Sequence, residues 1–472
     1  MAYRYGDRDQ LTLFPPCIDD LVPKNAAVRA YDAMVEALDF KELSIDISPD
    51  NVGNPQYDPK AMLKLHIYGI AYGVRSSRKL EREANYNISF IWLMKQLKPD
   101  HKTIAEFRRK NKKALQSVLR QCARMCIKLD LIEGNTLFAD GSKLRANASI
   151  KNEWTKDRCE KALKKADENI DRIIKECEDM DLEEKDQPSL IRMRKELSNQ
   201  DALKSKVKGI LNDLKQENKE RINSTDPDSS VMRGRQGTHS GYNAQIVVDE
   251  KNGLIVSSDA TNDNNDIQQF AVQIDRANET LGTKCSTACA DAGYANNPEM
   301  EKIAKQDIKV IVPSASQAVR KIKPFSKKNF IYDKAKDLYT CPAGNMLTYR
   351  YTEYNGKRVY KAINNACKCC NHLSACTKIK QGRVIYRVKD EELKEKFEAL
   401  YRQPVSRRIY KLRKEKVELP FGHIKRNLNI GSFLMRGMDG AKAEMSLAAT
   451  CFNMARMITL IGVTGLIQRM RG

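Results

Sequence analysis

The sequence predicts an α/β protein with helical segments on both sides of its sheet-forming part. Three observations carry this. Between Gly241 and Pro313, apolar runs with strand-like alternation trade places with helical runs. Residues 1–130, and the chain from about Glu391 onward, show the three-to-four-residue apolar spacing of amphipathic helices. Residues 151–222 are dominated by Lys, Glu and Asp, with apolar residues at helical spacing. At 472 residues the chain is ample for a sizeable core and suggests two to four domains. Its 41% hydrophobic and 31% charged residues describe a globular protein with a heavily charged surface, and no repeat of solenoid period is present.

Taken in order, Asp58-Pro59 is a sound start for the helix "DPKAMLKLHIYGIAYG", and Ser76 or Ser77 caps "SSRKLEREA". Thr103 opens a long amphipathic run to Leu129 with a basic face, which suits a helix-turn-helix type of DNA binding. "TLFADGSKLRA" reads as a strand, Thr136 to Asp140, followed by a turn and an exit to Ala146. "ENIDRIIKECEDM" and "LKSKVKGILNDLKQ" predict a long antiparallel helical hairpin, broken at "EEKDQPSL". "YNAQIVVD" and "GLIVSSDAT", joined by "EKNG", form a hairpin of strands. A helix over "NDIQQFAVQIDRANETL" follows, then a strand ending on Asp291 in "STACADAGY", a helix, and the strand "IKVIVP". Residues 325–390 read as a loop-rich, Cys-bearing insert. The remainder is helical, with an apolar face at Met445, Ala448, Phe452 and Ala455. "MITLIGVTGLI", Met457 to Ile467, is too short to span a membrane and predicts a buried C-terminal helix. "MAYRYGDRDQ" has no apolar h-region, so a cytoplasmic protein with thirteen reduced cysteines and no membrane partner is expected.

A net charge of +22 and a pI of about 9.3 point to a polyanionic partner, nucleic acid before an anionic membrane. Asp140 and Asp291 each follow a short apolar strand and precede a glycine within two residues. An unpaired buried carboxylate costs several kcal/mol, so each acid either starts a turn or has a cationic partner. Two such strand ends at one sheet edge suit Mg²⁺, which takes carboxylate oxygens together with substrate phosphates. For a third acid, Glu415 and Glu418 are the only acids among ten Lys or Arg between Arg402 and Arg436. A Lys414–Glu418 ion pair at i, i+4 is the plain alternative.

Cys341, Cys367, Cys370 and Cys376 are candidate ligands of a tetrahedral zinc, with Cys369 and His372 as alternatives and unliganded surface thiols as the plain reading. His239 and His423 are candidates for the site or for structure. Asp226, Asp228, Asn262, Asp263 and Asp266 are turn residues or part of a site rim. No phosphate-loop pattern supports ATP use, and no Ser-His-Asp arrangement is readable.

"FADGSKLRANAS", "GYNAQIVVD" with "TNDNNDIQQF", "ADAGYANN" and "VELPFGHIKRNLNIGSFLMRG", in this order, resemble bacterial insertion-sequence transposases of the DDE class. The resemblance runs over almost the whole chain. It implies a ribonuclease-H-like catalytic core (residues 131–150, 223–325 and 391–472), interrupted by the helical hairpin (151–222) and the Cys-rich insert (326–390). A helical DNA-binding domain (1–130) precedes it. The resemblance assigns catalysis to Asp140, Asp291 and Glu418 with two Mg²⁺ ions, and DNA contacts to Tyr410, Arg413 and Lys425. Tyr410 and Arg413 each sit one residue further from Glu418 than the family signature has them, and Lys414 is the rival to Arg413. The implied activity is cleavage of element ends and their joining to target DNA by two-metal phosphoryl transfer. The implied partners are double-stranded terminal repeats and target DNA, with a homodimer as the active form at the bacterial nucleoid. Two rival functions are a non-catalytic, zinc-containing DNA-binding protein derived from such an enzyme, and a nuclease that cuts without joining.

Overall fold

The computed structural model describes residues 17–47, 56–181, 187–234, 237–314, 317, 324–354, 356–363, 366–388 and 390–471. The first ten residues and the first half of the predicted hairpin break, residues 183–186, lie outside them. The chain divides into two compact units, one of residues 1–266, 275–284 and 415–472, the other of residues 267–274 and 285–414.

The first unit begins with helices α1 (Ala27–Glu36), α2 (Pro59–Ala71), α3 (Ser77–Tyr86), α4 (Ile88–Leu93), α5 (His101–Lys110), α6 (Lys112–Gln116) and α7 (Val118–Lys128). The α2 start is as predicted: Pro59 needs no amide partner at the first helical position, and the Asp58 carboxylate accepts from the Lys60 N–H. The single long helix expected from Thr103 is instead three. It starts earlier, with Asp100 accepting from the Thr103 N–H at 2.6 Å, and breaks at Asn111 and Ser117.

Strand β1 (Thr136–Arg145) follows. A clasp of β2 (Glu153–Thr155) and β3 (Arg221–Asn223) then brackets the predicted hairpin, α8 (Lys156–Asp181) and α9 (Gln187–Gln216). The hairpin has its own core of Cys159, Val207, Ile210, Leu214 and Ile222. Next come β4 (Ser230–Gly234), β5 (Gly237–Asp249) and β6 (Ile255–Thr261). β5 runs antiparallel to β1 from Leu137↔Asp249 to Arg145↔Gly241. Along its other edge β5 takes β4 on its first part and β6 on its second; the β5–β6 pairing is the hairpin predicted from "YNAQIVVD" and "GLIVSSDAT". Helix α10 (Phe270–Leu281) follows.

Helix α15 (Met438–Ile461) is buried almost all round because small residues, Gly440, Ala441, Ala443, Ala448 and Ala449, let neighbours approach. Its Asn453 amide both accepts from the Ile255 N–H and donates to the Ile255 carbonyl, at 2.8 Å each. The predicted single C-terminal helix is two. Gly462, at φ +81°, ends α15, and α16 (Val463–Arg471) leaves at 105°. Among the described residues no single helix is long and apolar enough to cross a membrane.

One buried ion pair joins distant parts of this unit. Arg75 donates to the Asn429 and Ser432 carbonyls at 2.8 and 2.6 Å and pairs with Glu444 at 3.1 Å. Glu444 also accepts from the Leu434 and Met435 N–H groups. Nearby, His66 is buried with its Nε2–H donated to the Ile104 carbonyl at 3.1 Å. Burial, reinforced by the Arg108 charge, pushes this imidazole down to about 3.

The second unit opens with a parallel pair, β7 (Thr287–Cys289) and β8 (Lys309–Ile311), connected through α11 (Asn297–Ala304). The insert is not loop-rich. It is a five-stranded antiparallel sheet of β9 (Ile331–Asp333), β10 (Leu338–Thr340), β11 (Met346–Thr352), β12 (Arg358–Ala362) and β13 (Val384–Arg387) in order of pairing, with a short α12 (Leu373–Cys376) before β13. Phe330, Tyr339, Leu347, Tyr360 and Ile385 form its core. Asp337 ties the sheet, accepting from the Tyr332 and Tyr360 hydroxyls at 2.8 and 2.7 Å and from Arg358. Desolvation raises its carboxyl, but these bonds and the Arg358 charge outweigh it and hold it below the usual range. Helix α13 (Glu391–Arg402) packs on β8. Helix α14 (Pro404–Arg426) runs from the second unit, through residue 414, into the first.

Arg75→Ala leaves Glu444 buried without its cation and is expected to cost about 3 kcal/mol or more; a shift of the denaturant midpoint measures it. His66 binds its proton only after unfolding, because its folded value lies below the ordinary 6.5. Its contribution is therefore present above 6.5 and lost as pH falls toward 3, with a slope of up to about 1.4 kcal/mol per pH unit. His66→Gln is expected to flatten that part of the stability–pH curve.

Candidate active site

Asp140 sits in the middle of β1, not at its end. The register runs on through Asp140↔Ile246, Gly141↔Gln245 and Ser142↔Ala244, so "GS" is strand and not turn. The turn-starting role considered for Asp140 is thereby excluded. Its side chain is half-buried, flanked by the buried Leu137, Phe138 and Ala139. Strand alternation puts Asp140, Ser142 and Leu144 on one face and Gly141, Lys143 and Arg145 on the other. On the Asp140 face, Lys425 Nζ donates to Ser142 Oγ at 2.5 Å. Glu418 lies on the same helix, α14, two turns before Lys425 and exposed to solvent. Lys414 and Lys425, at i−4 and i+7, share the Glu418 face of an ideal helix. Pro420 leaves the Lys416 carbonyl without its helical donor, a local weakness beside Glu418.

Beyond Lys425, the loop to α15 is sewn to the end of β1. Phe433 N–H donates to the Arg145 carbonyl at 2.8 Å, and Arg145 and Ser432 form a parallel bridge. Ser142 was not legible as a partner, since a hydrogen bond spanning 283 positions leaves no local signal.

The other face of β1 carries Lys143 near Asp263 and Asp266. Burial holds its ammonium below the ordinary value, while those two carboxylates oppose the effect. Asp266 Oδ1 accepts from the Asn243 and Gln245 amides, both at 2.7 Å. Asp226 and Asp228 serve the α15 N-terminus. Asp226 Oδ1 accepts from the Gly437 N–H at 3.1 Å and the Tyr242 hydroxyl at 2.7 Å, and Asp228 Oδ2 accepts from the Met438 N–H at 2.9 Å. His239 hydrogen-bonds the Gly237 carbonyl and His423 packs edge-on against Phe452. Burial lowers both imidazoles.

In the second unit, Asp291 stands two residues beyond the end of β7 and does start a turn: its Oδ1 accepts from the Gly293 N–H at 2.8 Å. Tyr410, on the first half of α14, stands within electrostatic reach of it, and Arg413 and Asp291 both act on Cys289. The Arg413 guanidinium lies 5.6 Å from the Tyr410 ring. Burial pushes the Tyr410 hydroxyl up, opposed by Arg413 and aided by Tyr401 and Asp291. Burial likewise pushes the Cys289 thiol up to about 12, with Arg413 pulling down and Asp291 raising.

Cys341, Cys367, Cys370 and Cys376 line one cavity together with Phe325, Phe330, Leu347 and Leu373. Cys341 Sγ accepts from the Asn345 N–H at 3.3 Å. Burial raises the Cys376 thiol, and the other three cysteines add to this. Cys369 is exposed and His372 packs on Phe325. Among the described residues no three or more His, Cys, Asp and Glu side chains are arranged to hold a metal ion. The expected zinc site is therefore not supported.

Two family models match the chain. A transposase domain family (DUF772) covers residues 16–110, and a transposase DDE domain covers residues 340–458. These matches bear out the resemblance to DDE-class transposases. The second includes Tyr410, Arg413, Glu418 and Lys425 and stops short of Asp140 and Asp291. No curated protein matches. Among solved structures, a cryo-EM structure of the piggyBac transposase synaptic complex with hairpin DNA matches at 9% identity and a TM-score of 0.34, over 95% of this chain and 79% of that one. A likeness that loose carries no argument about individual residues.

Gly382 sits at φ +112°, where a Cβ would stand 2.5 Å from the Cys367 Cβ. Gly382→Ala is therefore expected to destabilise the insert by about 2 kcal/mol, read as faster limited proteolysis between residues 324 and 388.

Proposed function

We propose that this chain is a DNA transposase of the DDE class, cutting the ends of an insertion sequence and joining them to target DNA. The observation that carries the reading is the setting of α14. It holds Lys425 on Ser142, two residues from Asp140, and presents Glu418 to solvent two turns before Lys425. The transposase DDE domain match over residues 340–458 supports the same reading. A ribonuclease-H-like core is supported by the order of elements: antiparallel β1, β5 and β6, then helix α10, then the parallel unit β7–α11–β8.

Asp140, Asp291 and Glu418 offer only carboxylate oxygens, the donor type that a hard divalent cation takes. Asp140 and Asp291 are half-buried and Glu418 is exposed, so none is sealed from solvent. Among the described residues no three acids are already grouped to hold an ion, so Mg²⁺ would be taken up by these carboxylates together with substrate phosphates, and would supply the charge that activates a water and stabilises a leaving 3′ oxygen. Lys425 and Arg413 neutralise phosphate oxygens, and Tyr410 stacks on a base or donates to a phosphate. The freed 3′-OH then attacks a target phosphodiester, forming one P–O bond as another breaks. A homodimer holds the two element ends.

A strand-transfer assay with Mg²⁺ and terminal-repeat DNA tests this. Joined product is expected from the wild type, and Asp140→Asn is expected to lower cleavage by at least about 10³-fold while DNA binding persists. Lys425→Ala is expected to lose about 10-fold to 100-fold. Nicking without joining would make the chain a nuclease. A retarded complex that is never cut would leave only a DNA-binding protein.

A further inference from the structure

The five-stranded sheet of the insert has two faces, and only one is accounted for. The inner face carries Tyr332, Tyr339, Leu347, Tyr360 and Ile385, packed as the insert's core. The outer face is set by register. Ile331, Thr340 and Met346 form one row across β9, β10 and β11. Asp333, Leu338, Thr348, Lys361 and Val384 form the next. Tyr351, Val359 and Tyr386 form the third, Tyr351 being brought onto this face by the irregularity between Tyr349 and Tyr351 in β11.

Ile331 is 73% exposed, Met346 53%, Tyr351 48% and Tyr386 45%. The two tyrosines stand on either side of the fully buried Val359, and the Lys361 ammonium lies 5.5 Å from the Tyr351 ring. Tyr354, in the connection between β11 and β12, is fully exposed. An aromatic and apolar face of this kind on a soluble sheet marks a contact surface.

Charge identifies the occupant. From Pro324 to Val388 the sequence has thirteen Lys or Arg against three Asp or Glu, a net of +10 out of the chain's +22. Of the three acids, Asp337 is held by Arg358 and two tyrosines, and Asp333 accepts from the backbone of its own turn. A second copy of the same face would meet like charge, which disfavours self-association. A polyanion with flat apolar rings meets both demands. In duplex DNA those rings are hidden by stacking, whereas a single strand presents them.

We infer that the outer face of the insert, centred on Tyr351, Lys361 and Tyr386, binds single-stranded DNA by stacking bases on the two tyrosines while the surrounding cations hold the phosphates. The choice of DNA over RNA rests on the transposase reading. The surface would hold a strand that has been separated or released during cutting.

The test uses the full chain and fluorescence anisotropy with a labelled single-stranded oligonucleotide and its duplex. Tyr351→Ala with Tyr386→Ala is expected to raise the single-strand Kd by about tenfold or more per tyrosine. Duplex binding is expected to change by less than about twofold, and Tyr351→Phe with Tyr386→Phe to retain single-strand affinity. Equal single-strand affinity in wild type and the alanine variant overturns the inference, and so does equal loss in the alanine and phenylalanine variants. A wild-type dimer that becomes monomeric in the alanine variant, by sedimentation, also overturns it, making the face an interface between copies. Should the alanine variant unfold, photocrosslinking of wild type to halouracil-substituted single strands decides: adducts on Tyr351 or Tyr386 support the inference, and adducts elsewhere only overturn it. Asp140→Asn is expected to keep full single-strand binding. A wild type that binds single strands but cuts nothing therefore removes the transposase reading and leaves this surface standing.

Discussion

The buried Arg75–Glu444 pair is the interaction on which the first unit's candidate chemistry depends. Neither charge is tolerable there alone. Each is satisfied by the other and by backbone groups of the segment 429–435, which joins α14 to α15. That segment is also paired with the end of β1 at Arg145. The ion pair thus holds three distant stretches in one arrangement: the helical region around position 75, the strand of Asp140, and the helix of Glu418 and Lys425. It also gives the "NIGSFLMRG" stretch a physical reason. Gly431, Ser432 and Phe433 meet β1 through backbone groups, and Leu434 and Met435 offer their amides to Glu444.

A strongly basic chain has to place its few buried acids where backbone or cations meet them. Asp226 and Glu444 accept main-chain N–H groups around the entry to α15, as does the exposed Asp228. Asp259 lies between Arg276 and Lys442.

Much of the fold was legible wherever local pattern and long-range packing agree. The alternation in "YNAQIVVD" and "GLIVSSDAT", the Asp58-Pro59 helix start and the hairpin spacing of residues 151–222 all appear as read. Failures came where the two disagree. "DGS" looks like a turn, yet pairing with the long β5 carries the strand through it. The Thr103 run has unbroken helical periodicity, but Asn111 and Ser117 cut it. In the insert, the density of Cys, Gly and Asn masked the period-two patterns "LTYRYT" and "VIYR". At the candidate site the acids could be picked out by type and setting along the chain. Their companions could not: the Lys425–Ser142 bond and the capping of α15 by Asp226 and Asp228 join residues hundreds of positions apart.

The β2–β3 clasp has a consequence for how this architecture varies. Glu153↔Asn223 and Thr155↔Arg221 bring the two ends of the helical hairpin side by side, and Asn223 is further held by the Ser149 carbonyl and Glu153. With its ends already tied, the length of chain between them adds little to the closure entropy borne by the rest of the molecule. The arm can lengthen, shorten or change sequence over generations as a nearly independent appendage, while the sheet from which it springs keeps its geometry.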